Sequence, residues 1–150
     1  MPPIEWDAGL ETGDAALDHQ HRGIHTLFNQ LESSADDAAE VMRVLDFLTE
    51  HVLVHFATEE DLMARTGYPA DLTEAHIAEH RALTENVRDE VLAFRLGQLT
   101  STEPLIEFLR DWLTHHVHES DLRFVEHIHS SGVRGTLPDE WVAAEQRANV

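Results

Sequence analysis

The chain is 150 residues long, the size of one domain with room for a hydrophobic core. It has no cysteine, which excludes disulfides, iron–sulfur clusters and thiolate zinc sites and leaves His, Asp, Glu or water to bind any metal. Its 29 acidic residues face only 10 basic ones, all of them Arg, and the formal net charge of −19 makes nucleic acid and anionic membrane poor partners.

The opening "MPPIEWDAGLETGD" has neither a basic start nor an apolar run, and no later stretch is apolar for long enough to span a bilayer. The expectation is a soluble, cytoplasmic protein. A helical pattern begins at Leu17, with Leu17, His21, Ile24, Phe28 and Leu31 on one stripe and Asp18 as the expected N-cap. The polar run "ESSADDAAE" ends it. A second helix is predicted from about Val41 to Arg65, its stripe running Leu48, Val52, His55, Glu59 and Leu62, and "TGYPAD" stops it. The third stripe is His76, His80, Leu83, Val87, Val91 and Phe94; the fourth is Leu105, Leu109, Trp112 and His116 and continues to about His129. Four such segments with short polar connections predict an all-α, up-down-up-down antiparallel four-helix bundle over residues 1–130. Residues 131–150 form a C-terminal tail in which "DEWVAAEQRANV" suggests a short helix docking through Trp141, on this chain or on another. Trp6 also reads as a packing residue.

Each of the four stripes carries histidine: His21, His55, His76 with His80, and His116. A buried imidazole one turn from a buried carboxylate, as in His55 and Glu59, is either a hydrogen-bonded pair or two ligands of one metal. Five histidines in register favour the metal, because inward side chains of a bundle converge on one layer. Asp121 follows His116 by five residues, a rotation of roughly 140° on an ideal helix, so it joins the layer only through a local widening of the turn or a sideways reach. Five imidazoles and two carboxylates exceed one tetrahedral zinc and suit two adjacent five- or six-coordinate ions bridged by carboxylates. Of the other seven histidines most read as surface or helix-end residues, with His51 one turn from His55 as a candidate support. Asp18 could also orient His21.

The segments "IEWDAGLETGDAALDHQH", "HFATEEDLM" with "GYP", "HIAEH" and "WLTHHVHESD", in that order and spacing, resemble the bacterial hemerythrins over roughly residues 4 to 128. The resemblance implies two iron ions with a bridging oxo or hydroxo group. His76, His80 and His116 would hold one iron and His21 and His55 the other, with Glu59 and Asp121 bridging. It also implies reversible dioxygen binding at the two-histidine iron as a hydroperoxide, in an oxygen carrier, storage or delivery protein, beside an apolar pocket that includes Ile24, Phe56, Trp112 and Leu113. The expected protein is not an enzyme, beyond a weak peroxidase-type side activity, and is a monomer or weak homo-oligomer. The competing reading is an oxygen- or redox-sensing module, or a di-iron protein reactive toward peroxide or nitric oxide.

Overall fold

The structure is a computed structural model that describes residues 11–34, 37–97 and 103–148. Trp6 and residues 4–10 of the resemblance lie outside these, as does the side chain of His118. Helix α1 (Ala15–Ser33) starts behind Asp14, whose Oδ1 accepts the Leu17 amide at 3.0 Å. The expected cap, Asp18, instead sits in the first turn and turns back: its Oδ1 accepts the amide of Thr12 at 2.8 Å and the Thr12 hydroxyl at 2.6 Å, and its Oδ2 accepts the amide of Gly13. Asp18 therefore fastens the incoming loop and makes no hydrogen bond to His21. Helix α2 (Ala38–Thr66) is capped by Asp37 and ends at Gly67, which takes the left-handed conformation (φ 68°) that favours glycine. Helix α3 (Ala70–Arg95) follows Pro69.

The fourth limb of the bundle is continuous but not uniform. Helix α4 (Glu103–His115) passes into a π-helical turn, His116–Asp121, and resumes as α5 (Leu122–Ser130). The chain thus gains one residue within the turn without leaving the helix axis. No strand occurs among the described residues.

The apolar core is split in two. One part gathers Ile24, Phe28, Leu48, Phe56, Leu83 and Leu109 with their neighbours; the other gathers Leu17, Leu62, Met63, Tyr68, Phe124 and Ile128. In sequence His21 falls between Leu17 and Ile24, Glu59 between Phe56 and Leu62, and the π turn between Leu109 and Phe124. The interruption of all the stripes by ionisable residues is therefore one polar layer crossing the bundle.

Helix α6 (Asp139–Ala148) answers where the tail docks: it packs on α2 of the same chain. Trp141 is fully buried, its ring lying so close to Gly23 of α1 that an added Cβ would sit 2.9 Å from it. The edge of His51 meets the same ring at 4.7 Å. His19 pairs with Glu145 at 2.8 Å, Arg147 pairs with Glu50, and the Gly135 amide donates to Asp14 Oδ2 at 2.8 Å. These contacts explain why His51 is buried: it hydrogen-bonds the Phe47 carbonyl and packs under the tail.

Candidate metal centre

The structure brings His21, His55, Glu59, His76, His80, His116 and Asp121 together, each 5% exposed or less. His21, His55, Glu59, His76 and His80 arrive by ordinary helical spacing. Asp121 arrives through the π turn, which absorbs the extra residue and turns its carboxylate back onto the layer holding His116. The widened turn, one of the two routes open at the sequence level, is the one taken.

The contacts divide the imidazoles into two sets joined by the carboxylates. Glu59 Oε1 lies 3.0 Å from His55 Nε2 and 3.3 Å from His80 Nε2, while Oε2 lies 3.7 Å from His76 Nε2. Asp121 Oδ2 lies 3.0 Å from His21 Nε2, and Oδ1 lies 3.0 Å from both His76 Nε2 and His116 Nε2. His21 and His55 face one another, Nε2 to Nε2, at 3.0 Å. Each carboxylate thus spans from the pair His21 and His55 to the trio His76, His80 and His116.

The charges are tightly coupled. Burial pushes the Asp121 carboxyl up, as does the charge of Glu59, yet His116 and His21 outweigh both and hold it well below the ordinary carboxylate range. Glu59 is likewise held well below its usual value, against burial, by His55, His76 and His80. Burial opposes the charged form of His76 and His116, but Asp121 with Glu59 raises His76 to about 9, and Asp121 with Glu79 raises His116 to about 10. Burial dominates at His80 and lowers it. His21 is raised as well, against burial, by Asp121 and Glu59, so without a metal, protons on His76 and His116, with His21 also favouring its charged form, offset the two carboxylates at neutral pH.

Two further residues act on this site from outside the stripes. Gln20, fully buried, accepts the Nδ1 proton of His55 on its amide oxygen at 2.6 Å and donates to Thr58 at 3.1 Å. Glu79 accepts the Nδ1 proton of His116 at 2.7 Å and the Ser120 hydroxyl at 2.6 Å. Each fixes its imidazole with Nε2 directed inward. Both escaped the sequence reading because they lie about 100° off their own ligand stripe. The signal is the residue immediately before a ligand-stripe histidine, in "QH" and "EH". Of the six described histidines outside the layer, His25 and His51 are buried, His51 against α6 and not against His55, while His19, His127 and His129 are half-buried and His115 is exposed, with His127 meeting the Thr66 carbonyl at 3.1 Å.

Above the pair of His21 and His55 lies a cavity of about 50 Å³. Ile24, Phe56, Trp112 and Leu113 all line it, with Phe28, Leu48, Val52, Leu83 and Leu109 among their apolar neighbours. From the polar layer it touches His21, His55, His116 and Asp121, and not His76 or His80. Phe56 also stacks on His80 at 3.8 Å and Trp112 on His116 at 4.2 Å, so the apolar wall holds the imidazole planes.

Whether these residues fit a metal is decided by their unmet bonding. The Nε2 atoms of His76, His80 and His116 and all four oxygens of Glu59 and Asp121 are buried without a hydrogen-bond partner. Their close contacts lack hydrogen-bond alignment. A buried polar group left unsatisfied costs about 1–3 kcal/mol, so seven in one layer carry a large cost that protons offset in the metal-free chain and metal cations would relieve more fully. Imidazole and carboxylate donors in this number fit bound metal cations.

A four-helix bundle with a carboxylate-joined histidine layer at its centre defines a class: the metal-binding bundles whose site lies between facing helices. Within that class residues 12–128 match the model of the hemerythrin HHE cation binding domain, and the chain belongs to the hemerythrin family. It is 35% identical over 124 residues to a bacteriohemerythrin of Methylococcus capsulatus, covering 81% of this chain and 93% of the relative. It is 30% identical to a hemerythrin-like protein of Naegleria gruberi, covering 81% and 91%. The crystal structure of a wild-type hemerythrin superposes with a TM-score of 0.78 at 31% identity, over 85% of this chain and 98% of that one.

Proposed function

We propose that this chain binds dioxygen reversibly at a pair of iron ions and serves as an oxygen carrier, store or delivery protein rather than an enzyme. In this reading His76, His80 and His116 hold one ion, His21 and His55 the other, and Glu59 and Asp121 reach both. An iron pair, when bound, supplies two electrons that can be lent to dioxygen and recovered on its release.

The observation that carries the reading is the apolar cavity, which touches both histidines of the two-histidine half and only His116 of the other three. Three imidazoles on one side and two on the other, with the carboxylates shared, leave that half with fewer protein donors, and the cavity wall there is built to take a small uncharged molecule. Its lining outside the polar layer is hydrocarbon apart from Thr49, Thr84 and the Trp112 indole. Thr84 spends its hydroxyl on the His80 carbonyl at 2.8 Å. No carboxylic acid lines the cavity except Asp121 of the ligand set, so the wall provides no acid placed to drive O–O cleavage. Phe56, Leu48, Ile24 and their neighbours exclude water, which protects a reduced site from outer-sphere oxidation.

The test is stoichiometric gas exchange. An oxygen electrode should record about one dioxygen taken up per reduced, iron-loaded chain and the same amount returned under argon, with uptake abolished in His55→Ala. Uptake without return would favour the sensing or peroxide-reactive alternative.

A further inference from the structure

Gln20 and Glu79 occupy matching places. Gln20 precedes His21 on α1 and accepts the Nδ1 proton of His55 on α2; Glu79 precedes His80 on α3 and accepts the Nδ1 proton of His116, the first residue of the π turn. The two are unlike in charge and surroundings. Gln20 is neutral and fully buried. Glu79 is anionic, its side chain 44% exposed at the rim of an open cavity it shares with Asp111, Glu119 and Ser120.

We propose that Glu79 is a positioning residue that sets the electronic balance of the metal pair, placing a full negative charge behind the three-histidine half through His116 while the two-histidine half receives only a neutral amide. A carboxylate behind a metal-bound imidazole raises its donor strength and favours the more oxidised metal; an amide oxygen fixes orientation with far less of that effect. Glu79 also binds the widened turn. Ser120, inside the π segment between His116 and Asp121, donates to the same Oε2 atom, so one carboxylate oxygen ties α3 to the turn that presents both ligands. The inference rests on the di-iron reading above.

Three variants separate the charge from the hydrogen bond. Glu79→Ala removes both, Glu79→Gln keeps an acceptor for His116 and loses the charge, and Glu119→Gln removes the same charge from the same open cavity, where Glu119 is exposed. Helical content of the metal-free variants, read by circular dichroism, confirms folding. Competitive Zn(II) binding to the metal-free chains should weaken roughly 10- to 100-fold in Glu79→Ala and be largely rescued in Glu79→Gln. In iron-loaded protein the midpoint potential should rise in Glu79→Gln and not in Glu119→Gln, the rise corresponding to a roughly tenfold loss of ferric over ferrous preference, about 59 mV for one electron. Wild-type Zn(II) affinity in Glu79→Ala, or equal potential shifts in the two Gln variants, would overturn the proposal with the di-iron reading intact. A wild-type chain that took up neither Zn(II) nor iron would overturn both.

Discussion

Metal uptake by this site is a proton-exchange reaction, and the structure sets its stoichiometry. In the metal-free chain His76 and His116, raised to about 9 and about 10, carry protons at pH 7 on a layer where Glu59 and Asp121 are already ionised. Coordination through Nε2 requires neutral imidazoles, so loading the three-histidine half must expel two protons, whereas His80, lowered by burial, and the two carboxylates contribute none. Each displaced proton changes the apparent affinity about tenfold per pH unit, or ~1.4 kcal/mol. The pair therefore gives about 100-fold per unit, and affinity strengthens as pH rises from 6 to 8. Calorimetric titration of the metal-free chain with Zn(II) at pH 7, in buffers of different ionisation enthalpy, reads the proton count as a slope. The expected value for the first ion is about two. Release of less than one proton, with affinity flat between pH 6 and 8, would refute the charge assignment.

Further outcomes follow from the same contacts. Truncating a buried Trp to Ala costs about 3–5 kcal/mol in a closed core, but α6 is ten residues long, marginal alone, and held otherwise by partly exposed ion pairs of at most about 1 kcal/mol each. Trp141→Ala should therefore release α6 rather than melt the bundle, giving the same thermal midpoint as a chain ended after Gly132; a midpoint well below that of the shortened chain would contradict the docking account. Gln20→Leu removes the acceptor of the His55 Nδ1 proton and should weaken binding of the second metal about 10- to 100-fold, measured by the second phase of a Zn(II) titration. In the metal-free chain the raised His76 and His116 lend stability that is full below pH 6.5 and lost as pH climbs through about 9 to 10. The depressed Glu59 and Asp121 lend stability that is full above their usual values of 4.5 and 3.8 and lost toward acid. Urea midpoints should accordingly fall above pH 9 and below pH 4, and bound metal should abolish the alkaline loss.

The fold was legible in the sequence because each helix carries one stripe at helical spacing and chemical punctuation separates them: Gly67 after α2, Gly97 after α3 and Pro104 in the first turn of α4. The convergence of the seven polar residues was also legible, since six of them obey helical spacing within those stripes. Asp121 did not, because a period of 3.6 residues cannot describe a π turn; the five-residue gap signalled the need for one without choosing it over a side-chain reach. The N-cap was misplaced because Asp14 and Asp18 both border the first apolar residue. Their roles are decided by Thr12 and Gly13, whose loop amides claim Asp18. Gln20 and Glu79 stayed hidden because a helical wheel shows which residues leave a helix's own stripe, not what the adjacent helix presents to them. The burial of His51 depends on α6, and a ten-residue segment with one Trp does not reveal which face it will cover.

The most direct test of the central claim is anomalous diffraction at the iron edge from crystals of the iron-loaded protein. Two peaks of comparable height should appear inside the polar layer, one among the Nε2 atoms of His76, His80 and His116 and one beside His21 and His55, with Glu59 and Asp121 contacting both. A single peak, or iron found only outside this layer, would contradict the assignment of these seven side chains to a metal pair.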